Sequence, residues 1–442
     1  MDQALRPLSS ARPAAPLAGD VTVPGDKSIS HRALMFAGLA VGESRIDGLL
    51  EGEDVLRTAT AMRALGAEVV RDGPGRWRVA GRGVGGLREP DDVLDMGNSG
   101  TAARLITGIL ATHDVFAVLT GDASLRRRPM ARVMEPLLAS GARFDSRDGG
   151  RLPMAIRGAR DAMPIEYRLP VASAQVKSAL LLAGLNAPGW TRIEEPEPTR
   201  DHTERMLRHF GAQVVVDQLG PGRVASLKGQ PELRAADVMV PGDPSSAAFV
   251  LVAAAIVPGS CVMVRNVALN PARTGLFDTL REMGADLQVA SPRTQGGESV
   301  GDLTLTYTGL RGVDVPASRA PSMIDEYPIL AVAAACASGV TRMHGLAELR
   351  VKESDRLAAT AALLRTNGLH VGIEGDTLCV AGAGVPEGGG LVATHMDHRI
   401  AMSALVLGLR TRKPVRVDDS GFINTSFPGF TALMQDLGAA IA

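Results

Sequence analysis

The sequence is short of cysteine, aromatic residues and lysine, and it lacks any long apolar run. Its three cysteines in 442 residues are far apart and odd in number, which fits neither a disulfide framework nor a cysteine-rich metal site. Aromatic residues amount to 3%, which argues against a stacking surface for single-stranded nucleic acid, and the formal net charge of −1 gives no basic field for a polyanion. No segment is predicted to be a transmembrane helix or a signal peptide. We expect a cytoplasmic protein, taken to be a monomer, that binds neither nucleic acid nor membranes.

Lysine is rare enough for its positions to be informative. Lys and Arg together number 47, and five of them are Lys. In such an Arg-rich chain, a position that remains Lys is a candidate for a role that needs a compact ammonium group rather than a planar guanidinium. Lys27, Lys177 and Lys352 all lie within the motifs described below.

The chain repeats one pattern six times. An amphipathic helix is followed by Gly and then by a short β-like run, which predicts a helix, a glycine at its end and a strand. A second helix in each unit is apolar on nearly all sides, so it should be buried against sheet. We therefore predict an α/β fold of six βαβαββ-like units. The repeated glycines are Gly66, Gly141, Gly211, Gly284, Gly368 and Gly438.

The repeats also indicate where one domain is inserted into another. Val-Pro-Gly-Asp occurs at residues 23–26 and again at residues 240–243, each time directly before an apolar helix. Two such crossings predict a discontinuous lobe of residues 1–24 plus 243–442 and a second lobe of residues 25–242, with three units in each. A cleft between two lobes is a common place for a ligand, so we expect the active site there.

Charged residues break the symmetry at the start of the apolar helices. GDKSISHRAL places Lys27, Ser28 and Arg32 near a helix N-terminus, where free N–H groups and the helix dipole favour an anion. An ordinary capped and solvated helix start is the alternative. The matching segment GDPSSAAFVL has Pro244 and Ser245 where the first has Lys27 and Ser28, and it carries no charged residue after its Asp.

The next two units show weaker signals of the same kind. Gly100 lies in a glycine-rich loop whose backbone a ligand can approach closely. Arg128 ends a run of three Arg residues, which is usually a solvated face, but the following Pro makes one inward Arg plausible. Ser173 and Gln175 open a third apolar helix. Arg200 begins the segment RDHTERML, whose Asp or Thr fits a helix cap as well as a ligand contact.

The last two units supply carboxylates as well as cations. Asp325 precedes a buried helix, where burial and nearby cations can tune a carboxylate to act as a base. In LRVKESDR, a helix would place Lys352 and Arg356 on one face with Glu353 beside them, although an exposed salt-bridged helix has the same pattern. Arg399 lies at the start of the sixth apolar helix. If these helix starts converge, they form a basic pocket for a small substrate with several phosphates or carboxylates.

A set of motifs resembles those of the EPSP synthase family of enolpyruvyl transferases, and the residues within these motifs resemble the class II branch of that family. The motifs follow the family's order over nearly the whole chain: PGDKSISHRA, MGNSGTAARL, GDASLRRRPM, SAQVKSALLLAGL, PTRDHTERML, IDEYPILA, LRVKESDRL, DHRIAMS and TSFPGF. The resemblance implies a two-lobed inside-out α/β barrel without metal or organic cofactor. It also implies transfer of the enolpyruvyl group of phosphoenolpyruvate to the 5-hydroxyl of 3-phosphoshikimate.

The resemblance also assigns roles to individual residues. It implies Asp325 as the base on the 5-hydroxyl, Glu353 as the acid that protonates the methylene carbon, and Lys27 as a contact of the departing phosphate. The implied ligands of 3-phosphoshikimate are Lys27, Ser28, Arg32, Ser173, Ala174, Gln175, Arg200, Asp325 and Lys352. The implied ligands of phosphoenolpyruvate are Lys27, Gly100, Arg128, Gln175, Arg356 and Arg399. Because Gly100 should lie against phosphoenolpyruvate and its mimic glyphosate, Gly100→Ala is expected to weaken glyphosate binding.

Three positions depart from the pattern of many class I members. Many class I members carry Lys immediately before Thr-Phe-Pro near the C-terminus, whereas residues 424–428 are Asn-Thr-Ser-Phe-Pro here and supply no Lys. Glu348 stands in place of Asn, and Arg200 stands in place of Tyr. Two alternative functions follow from the same features. One is a UDP-N-acetylglucosamine enolpyruvyl transferase, whose first motif would carry Lys-Asn and whose second unit usually carries a loop Cys, sometimes Asp. This chain has Lys27-Ser28 and no Cys before Cys261. The other is a non-catalytic anion-binding protein, which would not need Asp325 and Glu353.

Overall fold

The computed structural model describes residues 5–442, in which there are 13 α-helices and 24 β-strands. The helices are α1 (Lys27–Leu39), α2 (Glu53–Ala64), α3 (Gly100–Leu110), α4 (Ala131–Leu137), α5 (Ala174–Gly184), α6 (His202–His209), α7 (Pro244–Ile256), α8 (Gly275–Glu282), α9 (Ala320–Met323), α10 (Tyr327–Ala335), α11 (Arg356–Thr366), α12 (His398–Gly408) and α13 (Phe430–Asp436). None of the helices in this range combines the length and hydrophobicity needed to cross a bilayer.

The strands are short and are spread evenly along the chain. They are β1 (Leu8–Ala11), β2 (Ala18–Val21), β3 (Glu43–Asp47), β4 (Glu68–Gly73), β5 (Arg76–Ala80), β6 (Leu94–Asp95), β7 (Phe116–Thr120), β8 (Arg143–Arg147), β9 (Arg151–Arg157), β10 (Glu166–Arg168), β11 (Trp190–Glu195), β12 (Val214–Leu219), β13 (Gly222–Lys228), β14 (Val238–Met239), β15 (Cys261–Ala268), β16 (Asp286–Gln295), β17 (Glu298–Thr306), β18 (Asp314–Val315), β19 (Val340–Met343), β20 (Val371–Glu374), β21 (Thr377–Ala381), β22 (Leu391–Val392), β23 (Val415–Val417) and β24 (Ala440–Ile441).

The strands form six four-stranded sheets, and each sheet pairs one parallel couple with antiparallel neighbours. The parallel couples include β6 with β7, β10 with β11 and β18 with β19. A parallel pair needs a crossover connection, and an apolar helix supplies it, as α3 does between β6 and β7. The strand orders are β14-β3-β5-β4, β6-β7-β9-β8, β10-β11-β13-β12, β16-β17-β15-β2, β18-β19-β21-β20 and β22-β23-β1-β24. The prediction of six βαβαββ-like units in an α/β fold is confirmed.

The chain divides into two compact units. The first runs up to Pro24 and continues over Pro241–Thr294 and Ser299–Ala442, and the second comprises Gly25–Val240 and Gln295–Glu298. Each unit has its own hydrophobic core. In the first unit α7, α10 and α12 pack against one another, and in the second α3 packs against both α1 and α5.

The repeated Val-Pro-Gly-Asp segments both end in a helix cap. The Asp26 carboxylate accepts a hydrogen bond from the Ile29 amide at 2.8 Å, and the Asp243 carboxylate accepts one from the Ser245 amide at 2.8 Å. Each cap satisfies one of the free N–H groups that begin a helix. All 13 residues of α7 are buried, as its apolar sequence predicts.

The six repeated glycines end helices as predicted. They all have positive φ, between 84° and 98°, which is the left-handed conformation that only glycine adopts without strain. Gly211 is the simplest of them, because a Cβ placed there would meet no atom within 4 Å. Any cost of a side chain at Gly211 therefore comes from the backbone conformation alone.

We predict that Gly211→Ala destabilises the protein by about 1–2 kcal/mol, the cost of a left-handed non-glycine residue. Chemical denaturation monitored by circular dichroism would measure this. Gly211→Asn is the matched control and should lose less, because Asn tolerates the left-handed region better than Ala. Equal stability of the Ala variant and the wild type would contradict the interpretation that the left-handed backbone conformation at this helix end requires glycine.

Candidate active site

Lys27, the first predicted cation, begins α1. Its ammonium group forms an ion pair with a carboxylate that was not predicted from the sequence. Its Nζ lies 3.0 Å from Asp54 Oδ2. Asp54 lies in the first turn of α2, and only 9% of its side chain is exposed. The ion pair fixes the ammonium group near the N-terminus of α1. An acidic residue in a first helical turn is common enough that its sequence position gave no signal.

Arg32 lies one turn further along α1 and is almost completely buried. Its Nε donates to Thr203 Oγ1 at 2.7 Å, its Nη2 to Ser178 Oγ at 2.8 Å, and its Nη1 to the Ser28 carbonyl at 2.9 Å. Burial lowers the pKa of Arg32 to about 10, although the nearby Glu204 carboxylate opposes the shift. The guanidinium therefore stays charged at neutral pH.

Gly100 and Gln175 are connected through a buried arginine. Arg104 Nη1 donates to the Gly100 carbonyl at 3.2 Å and to Gln175 Oε1 at 3.0 Å. Gln175 Nε2 donates to Thr101 Oγ1 at 3.1 Å. These bonds join the N-terminal ends of α3 and α5. Arg104 was not predicted, although it is the one charged residue in the apolar sequence of α3.

Arg128 is the only buried member of the three-arginine run. Arg126 and Arg127 are exposed, whereas Arg128 is 8% exposed. Its Nη2 donates to Asn98 Oδ1 at 2.6 Å and to Ser124 Oγ at 3.4 Å. These bonds hold Arg128 beside the glycine-rich loop that precedes α3.

Ser173, Ala174 and Arg200 lie at the starts of two further helices. The Ser173 hydroxyl accepts from the Val176 amide at 3.4 Å and thereby caps α5, whose first residue is Ala174. Arg200 is half-buried, two residues before α6. Its positive charge contributes to lowering the pKa of Arg32, so these two cations lie near each other.

The second unit thus brings three helix N-termini together. Arg32 connects α1 to α5 through Ser178, and Gln175 connects α5 to α3 through Thr101. Helix N-termini offer free N–H groups and a positive dipole end to an anion. With buried arginines beside them, these three helix starts form a site suited to phosphate and carboxylate groups.

In the first unit, Arg356 gathers the predicted acidic residues. Its Nη1 lies 3.2 Å from Asp325 Oδ1, and its Nη2 lies 2.5 Å from Glu353 Oε2. Lys352 Nζ is 3.8 Å from the same Asp325 oxygen. The structure therefore places the four residues predicted from IDEYP and KESDR in one cluster.

Two residues at the start of α12 complete this cluster. Asp397, which is fully buried, accepts from Arg356 Nε at 2.8 Å and from Ser354 Oγ at 3.0 Å, and it caps α12 through the Arg399 amide at 2.9 Å. Arg399 Nη1 donates to the Asp325 carbonyl at 3.0 Å. Burial alone would lower the pKa of Arg356, but the surrounding carboxylates of Asp397, Glu353 and Asp325 outweigh it and raise the pKa.

The helical reading of KESDR is wrong. A short 3₁₀ helix ends at Val351, and Lys352 has an extended backbone. The α-helix begins at Arg356, because Asp355 caps it by accepting from the Ala358 amide at 3.0 Å. Lys352 and Arg356 still approach the same carboxylate, but the bend of the chain brings them there instead of a shared helix face.

The start of α7 carries no charged residue after Asp243, as the sequence shows, but a cation from a later segment contacts it. Arg273 Nη2 donates to Asp243 Oδ1 at 3.0 Å and to Ser245 Oγ at 2.8 Å. The Ser245 hydroxyl in turn bonds Glu326, which lies 3.6 Å from Arg399 Nη1. A buried polar network therefore continues from α7 to the residues around Asp325.

Burial lowers the pKa of two histidines of the second unit. His31 Nδ1 is 2.7 Å from Thr58 Oγ1, while its buried Nε2 has no hydrogen-bond partner among residues 5–442. Burial, helped by the charges of Lys27 and Arg32, lowers the pKa of His31 well below 6.5. Burial also lowers the pKa of His113, against the effect of its bond to the Ile109 carbonyl.

Comparison with known proteins places the chain among one group of enzymes. A family model described as EPSP synthase (3-phosphoshikimate 1-carboxyvinyltransferase) matches residues 11–434. The chain is 70% identical to a 3-phosphoshikimate 1-carboxyvinyltransferase of Acidiphilium cryptum, with 98% of each chain covered. It is 71% identical to one of Granulibacter bethesdensis, covering 99% of this chain and 97% of the relative.

A solved structure shows the same similarity in three dimensions. EPSP synthase of Acinetobacter baumannii superposes with a TM-score of 0.87 at 43% identity, over 99% of both chains. This similarity confirms the predicted fold class, because it extends over almost the entire chain.

We predict that the stability of the protein decreases as the pH falls below 6.5, the ordinary pKa of histidine. Below that pH the unfolded chain takes up a proton at His31 while the folded state, in which the His31 pKa lies well below 6.5, does not, so unfolding is favoured by about 1.4 kcal/mol per pH unit at most. His113, whose pKa is also lowered in the folded state, contributes in the same direction. Denaturation at pH 7.5 and pH 5.5 would measure the difference. His31→Gln should make it smaller, and an unchanged difference would contradict a neutral buried His31.

Proposed function

Because the chain belongs to the EPSP synthase family, we propose that it transfers the carboxyvinyl group of phosphoenolpyruvate to the 5-hydroxyl of 3-phosphoshikimate and releases phosphate. The family model and the curated relatives at 60–71% identity favour this reaction over the UDP-N-acetylglucosamine alternative. The reaction serves the biosynthesis of chorismate and the aromatic amino acids. We also propose, as expected from the sequence, that the enzyme acts in the cytoplasm and as a monomer.

We assign the recognition of substrate anions mainly to the second unit. Three helix N-termini and the buried Arg32 and Arg128 provide positive potential and donors of fixed direction. In our assignment Arg32 holds the carboxylate of 3-phosphoshikimate, and Ser28, Ser173, Ala174 and Arg200 hold the rest of that substrate. Arg128 and the Gly100 backbone hold phosphoenolpyruvate.

Two residues have contacts that suit a role toward both substrates. Gln175, at the start of α5, bonds to Arg104 and Thr101 of α3, which fixes its amide. Lys27 is oriented by Asp54, and a lysine ammonium is a compact charge that can follow a phosphate as it departs. We propose that Gln175 spans the two substrates and that Lys27 stabilises the leaving phosphate.

We assign proton transfer to the first unit. Asp325 takes the proton of the 5-hydroxyl while the hydroxyl oxygen bonds to C2 of phosphoenolpyruvate. Glu353 gives a proton to C3, which becomes a methyl group in the tetrahedral intermediate. The C–O bond to phosphate then breaks and inorganic phosphate leaves, and the methyl group returns a proton to the Glu353 carboxylate to restore the double bond. Lys352 assists at 3-phosphoshikimate, and Arg356 and Arg399 bind phosphoenolpyruvate.

The observation that carries this assignment is the cluster around Arg356. Two carboxylates on different segments approach one guanidinium, Asp325 at 3.2 Å and Glu353 at 2.5 Å. A non-catalytic anion-binding protein would gain nothing from carboxylates at this position, because they repel the anions it has to bind. A pair of carboxylates with separate roles in proton transfer explains their presence.

We predict that Asp325→Asn and Glu353→Gln each lower kcat by about 100-fold or more, the order expected for loss of a general base or acid. Phosphorus NMR of the enzyme with phosphoenolpyruvate and 3-phosphoshikimate would follow phosphate and the new phosphomonoester. Arg126→Gln, at an exposed arginine outside the cluster, is the control and should turn over normally. Normal turnover by both carboxylate variants would refute the assignment, and wild-type turnover only with UDP-N-acetylglucosamine would refute the proposed reaction.

We predict that Gly100→Ala raises the KM for phosphoenolpyruvate by about tenfold and weakens glyphosate binding. A Cβ at this position would lie 2.7 Å from Arg104 Nη1 and 3.0 Å from Arg128 Nη1, so both guanidinium groups would have to move. Steady-state kinetics with each substrate varied would measure the effect. An unchanged KM for phosphoenolpyruvate and equal inhibition of both forms by glyphosate would show that this backbone does not contact the ligand.

A further inference from the structure

The guanidinium of Arg32 is held along one edge by two hydroxyl groups. Thr203 Oγ1 accepts from Nε at 2.7 Å and Ser178 Oγ accepts from Nη2 at 2.8 Å. The two hydroxyls are themselves joined, because Thr203 Oγ1 donates to Ser178 Oγ at 2.8 Å. Thr203 is 1% exposed and Ser178 is fully buried, so neither hydroxyl is set for contact with solvent.

These bonds leave two N–H groups of the Arg32 guanidinium for a ligand. An arginine has five N–H groups, and within residues 5–442 three of them bond to Thr203, Ser178 and the Ser28 carbonyl. One N–H on each terminal nitrogen remains, and a carboxylate can accept such a pair bidentately. The bonded partners are all uncharged, so the positive charge of Arg32 is not consumed by an ion pair at hydrogen-bond distance.

A group of four charges, three of them fully buried, includes the residues next to Ser178 and Thr203 in the sequence. Lys177 Nζ is 2.7 Å from Glu204 and 2.9 Å from Glu195, and none of these three side chains is exposed. Arg223 Nε adds a second cation 2.8 Å from Glu195, so the group is neutral in sum. Charges removed from water in this way persist only when they are paired.

This group fixes the helices that carry the two hydroxyls. Lys177 directly precedes Ser178 on α5, and Glu204 directly follows Thr203 on α6. The Lys177–Glu204 ion pair therefore joins α5 to α6 one residue away from the hydroxyl pair. The carboxylate of Glu204 also opposes the loss of charge that burial imposes on Arg32.

We propose that Thr203 and Ser178 are positioning residues that aim the free edge of Arg32 at the carboxylate of 3-phosphoshikimate, with the Lys177–Glu204 ion pair as their support. The inference rests on the proposed role of Arg32. It goes beyond that role because Thr203 and Ser178 act through Arg32 and are not assigned to the substrate themselves. It also gives a function to the second of the rare lysines, Lys177.

The test is to measure 3-phosphoshikimate binding by calorimetry, without phosphoenolpyruvate, for Thr203→Val and Ser178→Ala. Loss of a hydrogen bond to a charged group predicts affinity about tenfold weaker or more. Thr203→Ser keeps the hydroxyl and should restore binding. Thr107→Val is the matched control, because the buried Thr107 hydroxyl bonds the Ala103 carbonyl of its own helix at 2.7 Å.

Two further readouts separate positioning from a general loss of structure. In steady-state kinetics the KM for 3-phosphoshikimate should rise while kcat and the KM for phosphoenolpyruvate change by less than about threefold, as removal of uniform binding predicts. Esterifying the substrate carboxylate should weaken binding strongly in the wild type. It should weaken binding much less in Thr203→Val, because the interaction between the misplaced Arg32 and the carboxylate is already weakened in that variant. Ser178→Ala gives the same comparison if Thr203→Val does not fold.

The outcomes distinguish the positioning role of Thr203 and Ser178 from the proposed role of Arg32, on which it rests. If Arg32→Gln binds 3-phosphoshikimate as tightly as the wild type, the role of Arg32 is wrong and the inference falls with it. If Arg32→Gln weakens binding while Thr203→Val and Ser178→Ala do not, Arg32 keeps its role and the positioning inference alone is overturned. Equal loss of affinity for both substrates in the hydroxyl variants would also overturn it.

Discussion

Arg356 is 1% exposed, and three carboxylates surround its guanidinium. A charge buried to this extent costs several kcal/mol unless it is paired and fully hydrogen-bonded, so Asp325, Glu353 and Asp397 cannot be treated as separate features. The chain bend at KESDR, the cap of α12 and the segment before α10 all serve to bring these carboxylates to one guanidinium. The placement of the proposed base and acid therefore depends on compensating this single buried cation.

The apolar helices explain why the functional side chains are found where they are. A helix that is apolar on every side, such as α7 or α10, has no face left for polar chemistry, so polar groups are confined to its N-terminal end. There the free N–H groups favour anions, and capping residues such as Asp26 or Asp397 are needed in any case. Repetition of one βαβαββ unit thus multiplies potential anion sites, and function enters where individual units add cations or carboxylates.

The repeated elements could be predicted well from the sequence because their causes are local. A glycine with positive φ after a helix, or an Asp before one, depends on a few neighbouring residues, and the two signals recur along the chain. The side chains that hold the site could not be predicted in this way. Asp54, Thr203 and Asp397 are ordinary helix-start residues by their sequence context, and their partners lie 27, 171 and 41 positions away. The helical reading of KESDR failed for a local reason, since Asp355 caps a helix that begins at Arg356.

The partners of the two central arginines indicate a division of labour. Arg32 is bonded to two hydroxyls and a carbonyl, so its positive charge is available to a ligand. Arg356 already faces three carboxylates, and Lys352 approaches Asp325, so much of the positive charge of this cluster is paired with acidic side chains. In the second unit, by contrast, Arg32 donates only to uncharged groups, so its positive charge is available to an incoming anion. In the first unit, the same electrostatics keep the carboxylates in place, so Arg356 contributes by fixing the proposed base and acid as well as by binding phosphoenolpyruvate.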